Sequence, residues 1–357
     1  MSFTREIRVT KTAFAIPLLA LVLAGCQGGT AGNTAAANGA AGATAVTGAG
    51  STFIYPVLSA WASDYSKTAG VNINYQSIGS GGGIAQIKAN TVDFGATDKP
   101  LDSKELADSG LAQFPAVIGG IVPVVHISGI DAGKLKLTGP VLADIYLGKV
   151  KKWNDPEIAG LNPGVTLPAA PIAVVHRSDG SGTTFNWTHY LGQVSPQWKA
   201  GPGEGTSIAW PTGIGGKGNE GVAAYVNQVP NAIGYVEYAY VIQNKMAYAL
   251  VQNAAGNYVA PSTDSFQAAA ASADWDKAQD FDLVMTNAPG AQAYPITTTT
   301  FVLVHKQPKN EANTRAAIKF FEWAFANGQG QAQKLDYVPL PKPLVDKIDA
   351  YLTANVK

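Results

Sequence analysis

HRSDGSGTT, residues 176–184, sets an arginine two positions before an aspartate and then runs Ser-Gly-Thr-Thr into what reads as a helix start. A hydroxyl residue opening a helix caps it and lies beside backbone N–H groups that have no intrahelical partner. The helix dipole adds roughly half a positive charge at that end. Arg177 adds a full one, so the stretch has the chemistry of an anion site. Taken alone, an Asp-Gly-Ser-Gly run reads more readily as an ordinary turn. Two further stretches repeat the pattern, GAGSTF (48–53) and SIGSGGG (77–83). Each joins a strand-like segment to a helical one and places a hydroxyl beside glycines. Three such turns in one chain argue for convergence on one anion.

Outward from these turns, short apolar strands alternate with helical patterns, which is the signature of an α/β protein. Ile54, Val57, Leu58, Trp61, Ala62 and Tyr65 share one helical face, predicting a helix from about Phe53 to Lys67 with Pro56 in its first turn. Gly70 stops it. Val71, Ile73 and Tyr75 alternate with polar residues as a strand, and Ser80 leads a short helix through Ile84 and Ile87. Strands are expected at 117–127 and 172–175, and TTTTFVLVH (297–305) is a strand by its β-branched content. RAAIKFFEWAFANG (315–328) is a helix ending at Gly328. No internal repeat is visible.

At the N-terminus, Arg5, Arg8 and Lys11 precede an apolar run from Ala13 to Ala24, a signal peptide over residues 1–25. The run ends Leu23-Ala24-Gly25-Cys26, which resembles the lipobox of bacterial lipoproteins, with Cys26 the residue to be lipidated. Cys26 is the single cysteine, so neither an internal disulfide nor a cysteine metal site is expected. Residues 26–45 are small and polar, a flexible Gly/Ala-rich tether able to reach about 25 Å. About 310 residues follow, near the size where one core divides into two lobes. Removing residues 1–25 takes away Arg5, Arg8, Lys11 and Glu6 and leaves 22 Lys+Arg against 24 Asp+Glu. That balance gives no basic field for nucleic acid, and no second segment is apolar for long enough to span a bilayer. His126, His176, His189 and His305 lack metal-ligand spacing, so neither a metal nor a cofactor is expected.

The segments GAGSTFIYPV, NYQSIGSGGGIAQI, ANTVDFGATDKPL, IYLGKVKKWNDP, AVVHRSDGSGTTF, GIGGKGNEG, AIGYVEYAY and YPITTTTFVLVHK occur in an order that resembles the periplasmic phosphate-binding (PstS) family. The resemblance covers essentially the whole chain after the signal peptide. It implies a two-lobed periplasmic binding protein fold of the Venus-flytrap type II, with strands crossing the hinge. Lobe one would be residues 46–125 plus 297–357, and lobe two residues 126–296. The family's anion ligands would fall on Thr52, Phe53, Ser80, Asp98, Arg177, Ser181, Gly182 and Thr183, with Phe53 and Gly182 acting through backbone N–H. Asp179 would hold the Arg177 guanidinium toward the ligand. Ser51 and Ser178 stand where other members often carry alanine, and neither is expected to touch the ligand groups. The implied role is monomeric capture of inorganic phosphate in the periplasm or cell envelope. Delivery would be to an inner-membrane permease and ATPase complex, with no catalysis.

Asp98 is the odd member of this set, because a carboxylate beside an anion repels it. It attracts only an anion that still carries a proton, as phosphate does near neutral pH and sulfate does not. The alternatives are a binder of sulfate, molybdate or a phosphonate on the same fold, a phosphoesterase using Ser181 as nucleophile, and a structural surface lipoprotein. Against the second, D-G-S-G-T misses the G-x-S-x-G elbow at both outer positions. GIGGKGNEG (213–221) lacks the Ser or Thr of a phosphate-binding P-loop and reads as a mobile surface turn. LGKVKKWNDP (147–156) reads as a solvated basic turn, or as a permease contact.

Overall fold

The β-branched run Thr297–His305 is a strand along its whole length, paired antiparallel with the 16-residue strand Leu111–His126. A computed structural model describes residues 45–357. The expected signal peptide, Cys26 and the tether up to residue 44 lie outside the described residues, while Ala45 already pairs with Asn72. In chain order the strands are β1 (Ala45–Gly50), β2 (Asn72–Ser77), β3 (Phe94–Thr97), β4 (Leu111–His126), β5 (Leu135–Leu137), β6 (Ala173–Arg177), β7 (Ile214–Gly216), β8 (Ala232–Glu237), β9 (Ala247–Gln252), β10 (Tyr258–Val259) and β11 (Thr297–His305).

They run in the order β2-β1-β3-β11-β4-β8-β6-β7, with β9 joining β4, β5 and β10 at the side. β1, β2 and β3 are parallel to one another, as are β6, β7 and β8, while β11 and β4 run antiparallel to their neighbours. The long strand β4 changes partner along its length. Residues 111–120 pair with β11, and residues 121–126 pair with β8. The change at Gly120–Ile121 divides the two-lobed α/β fold into a half built on β1, β2, β3 and β11 and a half built on β5 to β10.

Each half has its own aromatic packing. Helix Tyr55–Ala69 buries Val57, Leu58, Trp61 and Tyr65, and the Tyr65 ring lies 5.4 Å from Phe320 of helix Glu311–Asn327. In the other half Trp187 stacks on Tyr235 at 4.7 Å, both fully buried. Burying each such large apolar side chain stabilises the fold by about 1.5–3 kcal/mol. The first helix begins at Tyr55, two residues later than its spacing predicts, with Pro56 in its first turn and Gly70 in the left-handed region ending it. Helix Glu311–Asn327 ends at Gly328 as expected. Among the described residues, no helix is long and apolar enough to cross a membrane.

Candidate functional site

The three glycine-hydroxyl turns do meet. The first follows β1, the second follows β2 and the third follows β6, and the ends of these strands converge where the two halves face each other. Ser181 caps helix Gly182–Val194 by accepting the N–H of Thr184 at 3.0 Å. The N–H groups of Gly182 and Thr183 are therefore at the open end of that helix, without intrahelical acceptors. Gly182 lies against the opposite half so closely that a Cβ there would sit 2.6 Å from Ser80 Oγ and from the Asp98 nitrogen. Ser80 Oγ accepts the Asp98 N–H at 3.2 Å, and the Gly81 N–H donates to the Gly180 carbonyl at 2.8 Å. Thr52, Phe53, Ser80, Asp98, Arg177, Ser181, Gly182 and Thr183 are all buried.

Charges of both signs are buried here. Arg177 is 3% exposed, and its Nε and Nη2 form a fork with both carboxylate oxygens of Asp179 at 2.8 and 2.5 Å. Asp179 also accepts the Gly218 N–H at 3.0 Å, so the pair is anchored to the start of a helix in its own half. Burial disfavours the charged guanidinium, but the hydrogen bonds and charge of Asp179 outweigh it and raise the Arg177 pKa. The same contacts overcome burial at Asp179 and lower its pKa. That fork leaves one nitrogen over: Arg177 Nη1 is buried and has no hydrogen-bond partner among the described residues. A buried unpaired donor on a cation costs more than a kilocalorie per mole unless something accepts from it.

Asp98 carries the negative charge. Its Oδ1 accepts Ser51 Oγ at 2.5 Å and Thr300 Oγ1 at 2.8 Å, and its Oδ2 accepts Thr183 Oγ1 from the other half at 3.2 Å. Burial raises its pKa despite those hydroxyls and Arg177, which all act to lower it. The site thus combines an unspent guanidinium N–H, free helix-end N–H groups, hydroxyls and one carboxylate. That set suits an oxyanion that is rich in acceptors and retains a proton.

The PBP superfamily domain matches residues 35–327. Over 312 residues the chain is 60% identical to the phosphate-binding protein PstS of Xylella fastidiosa (strain 9a5c), covering 87% of this chain and 86% of that one. The phosphate-binding protein PstS of Pasteurella multocida is 55% identical over 315 residues, 88% of this chain and 92% of the relative. The chain belongs to the PstS family. A substrate-binding protein of a putative phosphate ABC transporter from Clostridium perfringens, solved with bound phosphate, shares the fold at TM-score 0.60 and 21% identity. The match covers 83% of this chain and all of that one.

Within this PstS-family fold, several residues at the site went unread in the sequence. Ser51, expected to stay clear of the ligand groups, donates to Asp98 and also accepts the Phe53 N–H at 3.0 Å. The Phe53 N–H, expected to face the ligand, thus already has a partner. Ser178 is exposed and lies against Gly215. GIGGKGNEG is exposed at Gly213, Ile214, Gly215, Lys217 and Glu220, but it is not a plain turn: it supplies β7 and the start of helix Gly218–Gln228, and Asn219 is fully buried against Thr52. LGKVKKWNDP exposes Lys149, Lys151 and Lys152 but is pinned by Val150 and by the fully buried Trp153, whose Nε1 donates to the Asn231 carbonyl. Ser181 Oγ has no histidine partner among the described residues, only the cap bond to Thr184. No single-residue signal could mark Thr300 or Asn219, because each matters only through contacts made across long stretches of chain.

Glu237, at the end of β8, is fully buried and takes part in no ion pair among the described residues. Its Oε1 accepts the Ala239 N–H at 2.9 Å, and its Oε2 lies 2.9 Å from the Tyr337 hydroxyl, which also lies 2.6 Å from the Phe53 carbonyl. One tyrosine hydrogen cannot serve two acceptors, so hydrogen-bond parity requires Glu237 to bring its own proton. Burial pushes its pKa well above the usual range, against the Ala239 and Tyr337 bonds and with help from Asp98 and Asp336. An acid whose folded pKa is raised costs nothing below its unfolded pKa and progressively destabilises the fold as pH rises above it. Glu237→Gln keeps the geometry with a permanent donor. Its unfolding free energy, relative to the parent, should therefore grow by up to about 1.4 kcal/mol per pH unit above about pH 4.3. Denaturant unfolding of both proteins across that range checks this, and a difference that stays flat with pH would refute the protonated assignment.

Proposed function

We propose that this PstS-family protein captures inorganic phosphate between its two lobes and hands it to an inner-membrane ABC permease and ATPase complex for import. The observation that carries the reading is Arg177 Nη1, a buried cationic donor with no acceptor among the described residues, in a site that also holds hydroxyls, helix-end N–H groups and the Asp98 carboxylate. Lobe one would be residues 46–125 plus 297–357 and lobe two residues 126–296, although β4 already passes from β11 to β8 at Gly120–Ile121, ahead of that boundary. Thr52 and Ser80 donate from lobe one, while Ser181, Gly182, Thr183 and Arg177 donate from lobe two. The Phe53 N–H joins them once Ser51 shares it. Asp179 holds the guanidinium in place.

Asp98 takes the proton that phosphate keeps, and so favours it over sulfate, which has none to give. Molybdate and other fully ionised oxyanions meet the same repulsion. Phosphate touches both lobes and therefore favours the closed arrangement by its differential contacts. The role is binding and not catalysis, in keeping with Ser181 Oγ serving as a helix cap that accepts the Thr184 N–H. Export by residues 1–25 and attachment through a lipid on Cys26 would place the monomer in the periplasm or cell envelope. The tether would leave its lobes free to reach the permease. Calorimetric titration of the refolded, ligand-stripped protein with inorganic phosphate tests the reading, which expects one saturable site and does not survive an absence of heat.

A further inference from the structure

Helix Ser80–Lys88 is capped from the opposite half. Ser181, Ser262 and Asn310 each close the first turn of their own helix with a side-chain oxygen, but this helix starts after Gly79, which has no side chain to do so. Its internal ladder begins only with the Gly83 N–H donating to the Gly79 carbonyl at 3.0 Å, so the Gly81 N–H has no acceptor in its own helix. It donates instead to the Gly180 carbonyl, 2.8 Å away in the turn that follows β6. Both glycines are half-buried, whereas the proposed anion ligands are buried. Glycine is demanded on both sides. A Cβ on Gly81 would lie 3.0 Å from Gly180 Cα, and one on Gly180 would lie 3.1 Å from Gly81 Cα. Gly79 holds φ at 89°, and a Cβ on it would lie 2.7 Å from the Gly180 oxygen and collide with Asp179 Oδ2.

We propose that the Gly180 carbonyl caps helix Ser80–Lys88 only when the two halves meet, and that this backbone contact, made without the anion, sets how firmly the cleft stays closed. The inference rests on the phosphate reading and deepens it by adding a closure contact outside the ligand set. When the halves part, water takes the Gly81 N–H and the Gly180 carbonyl, so the bond counts in the closed arrangement alone. The apparent affinity of a ligand that needs the closed form scales with the population of that form. A contact missing from the open form, in which phosphate arrives, acts on release and not on capture. The glycines of SIGSGGG and SDGSGTT thus do more than turn the chain: they let two backbones approach where any side chain would hold the halves apart.

The experiment compares the parent, Gly81→Ala, Gly180→Ala and the double variant. Each is titrated with inorganic phosphate, and release is timed by chasing radiolabelled phosphate with unlabelled phosphate. Either single variant should weaken binding about tenfold, roughly the worth of one hydrogen bond, with nearly all of the change in faster release. The double variant should fall no more than about twofold below the weaker single, because one Cβ already breaks the contact, whereas unrelated distortions of the two turns would multiply. Gly81→Ala also puts a better helix former into a helix, so its ligand-free form should unfold at a temperature no lower than the parent's. A mere folding defect would weaken binding and lower that temperature together. Parental affinity and release in both singles, losses that multiply in the double, or a lowered unfolding temperature in Gly81→Ala overturns this inference alone when the parent binds phosphate. A parent that binds none overturns the reading beneath it as well.

Discussion

Arg177→Ala should weaken phosphate binding by two to three orders of magnitude or more. Arg177 is the one cation among the proposed ligands, it is 3% exposed, and its Nη1 has no partner among the described residues. Truncating one member of a buried charged hydrogen-bond set typically costs about 2–5 kcal/mol, or roughly 30- to 5,000-fold. The loss falls at the upper end here because the variant also strands Asp179, whose carboxylate is held ionised by the guanidinium. Lysine is no substitute: a single ammonium cannot grip both Asp179 oxygens and still present a third N–H to the ligand. Arg177→Lys should accordingly recover less than a tenth of the lost affinity. Calorimetry on variants whose unfolding is still cooperative measures this, and a parental affinity in Arg177→Ala would remove the charge from the account.

The second large effect is on selectivity. With Asp98 ionised about 3 Å from a sulfate oxygen, repulsion is on the order of 5 kcal/mol at an effective dielectric of about 20. Phosphate avoids it by donating its proton. Asp98→Asn keeps the shape and leaves an oxygen for Ser51 and Thr300, which donate to Oδ1 at 2.5 and 2.8 Å. The new amide donates where the carboxylate accepted. Sulfate binding should appear, with the phosphate-to-sulfate preference falling at least a hundredfold, while phosphate loses the strong acceptor and weakens about tenfold. Asp98→Ala should also relax the preference. If either variant rejected sulfate as strongly as the parent, the protonated-anion explanation would be wrong.

Much of this was legible from local chemistry. The β-branched run at 297–305, the apolar face of the first long helix and the hydroxyl cap at Ser181 are all set by residues close in sequence, and all three form as read. The Arg177–Asp179 fork was reachable because the partners are two residues apart. What escaped was long-range. Asn219 meets Thr52 across 167 positions and Thr300 meets Asp98 across 202, and nothing near either residue announces the contact. GIGGKGNEG looked mobile because glycine is ambiguous in isolation: the same residue permits a loose loop or a close approach of two backbones. Ser51 was misjudged for a similar reason, since its influence runs through Asp98 and not directly to a ligand.

Side-by-side calorimetric titration of the refolded, ligand-stripped parent with phosphate and then sulfate, in one buffer near neutral pH, tests the central claim most directly. The account predicts a single tight site for phosphate and no heat from sulfate. Comparable binding of both anions would contradict it.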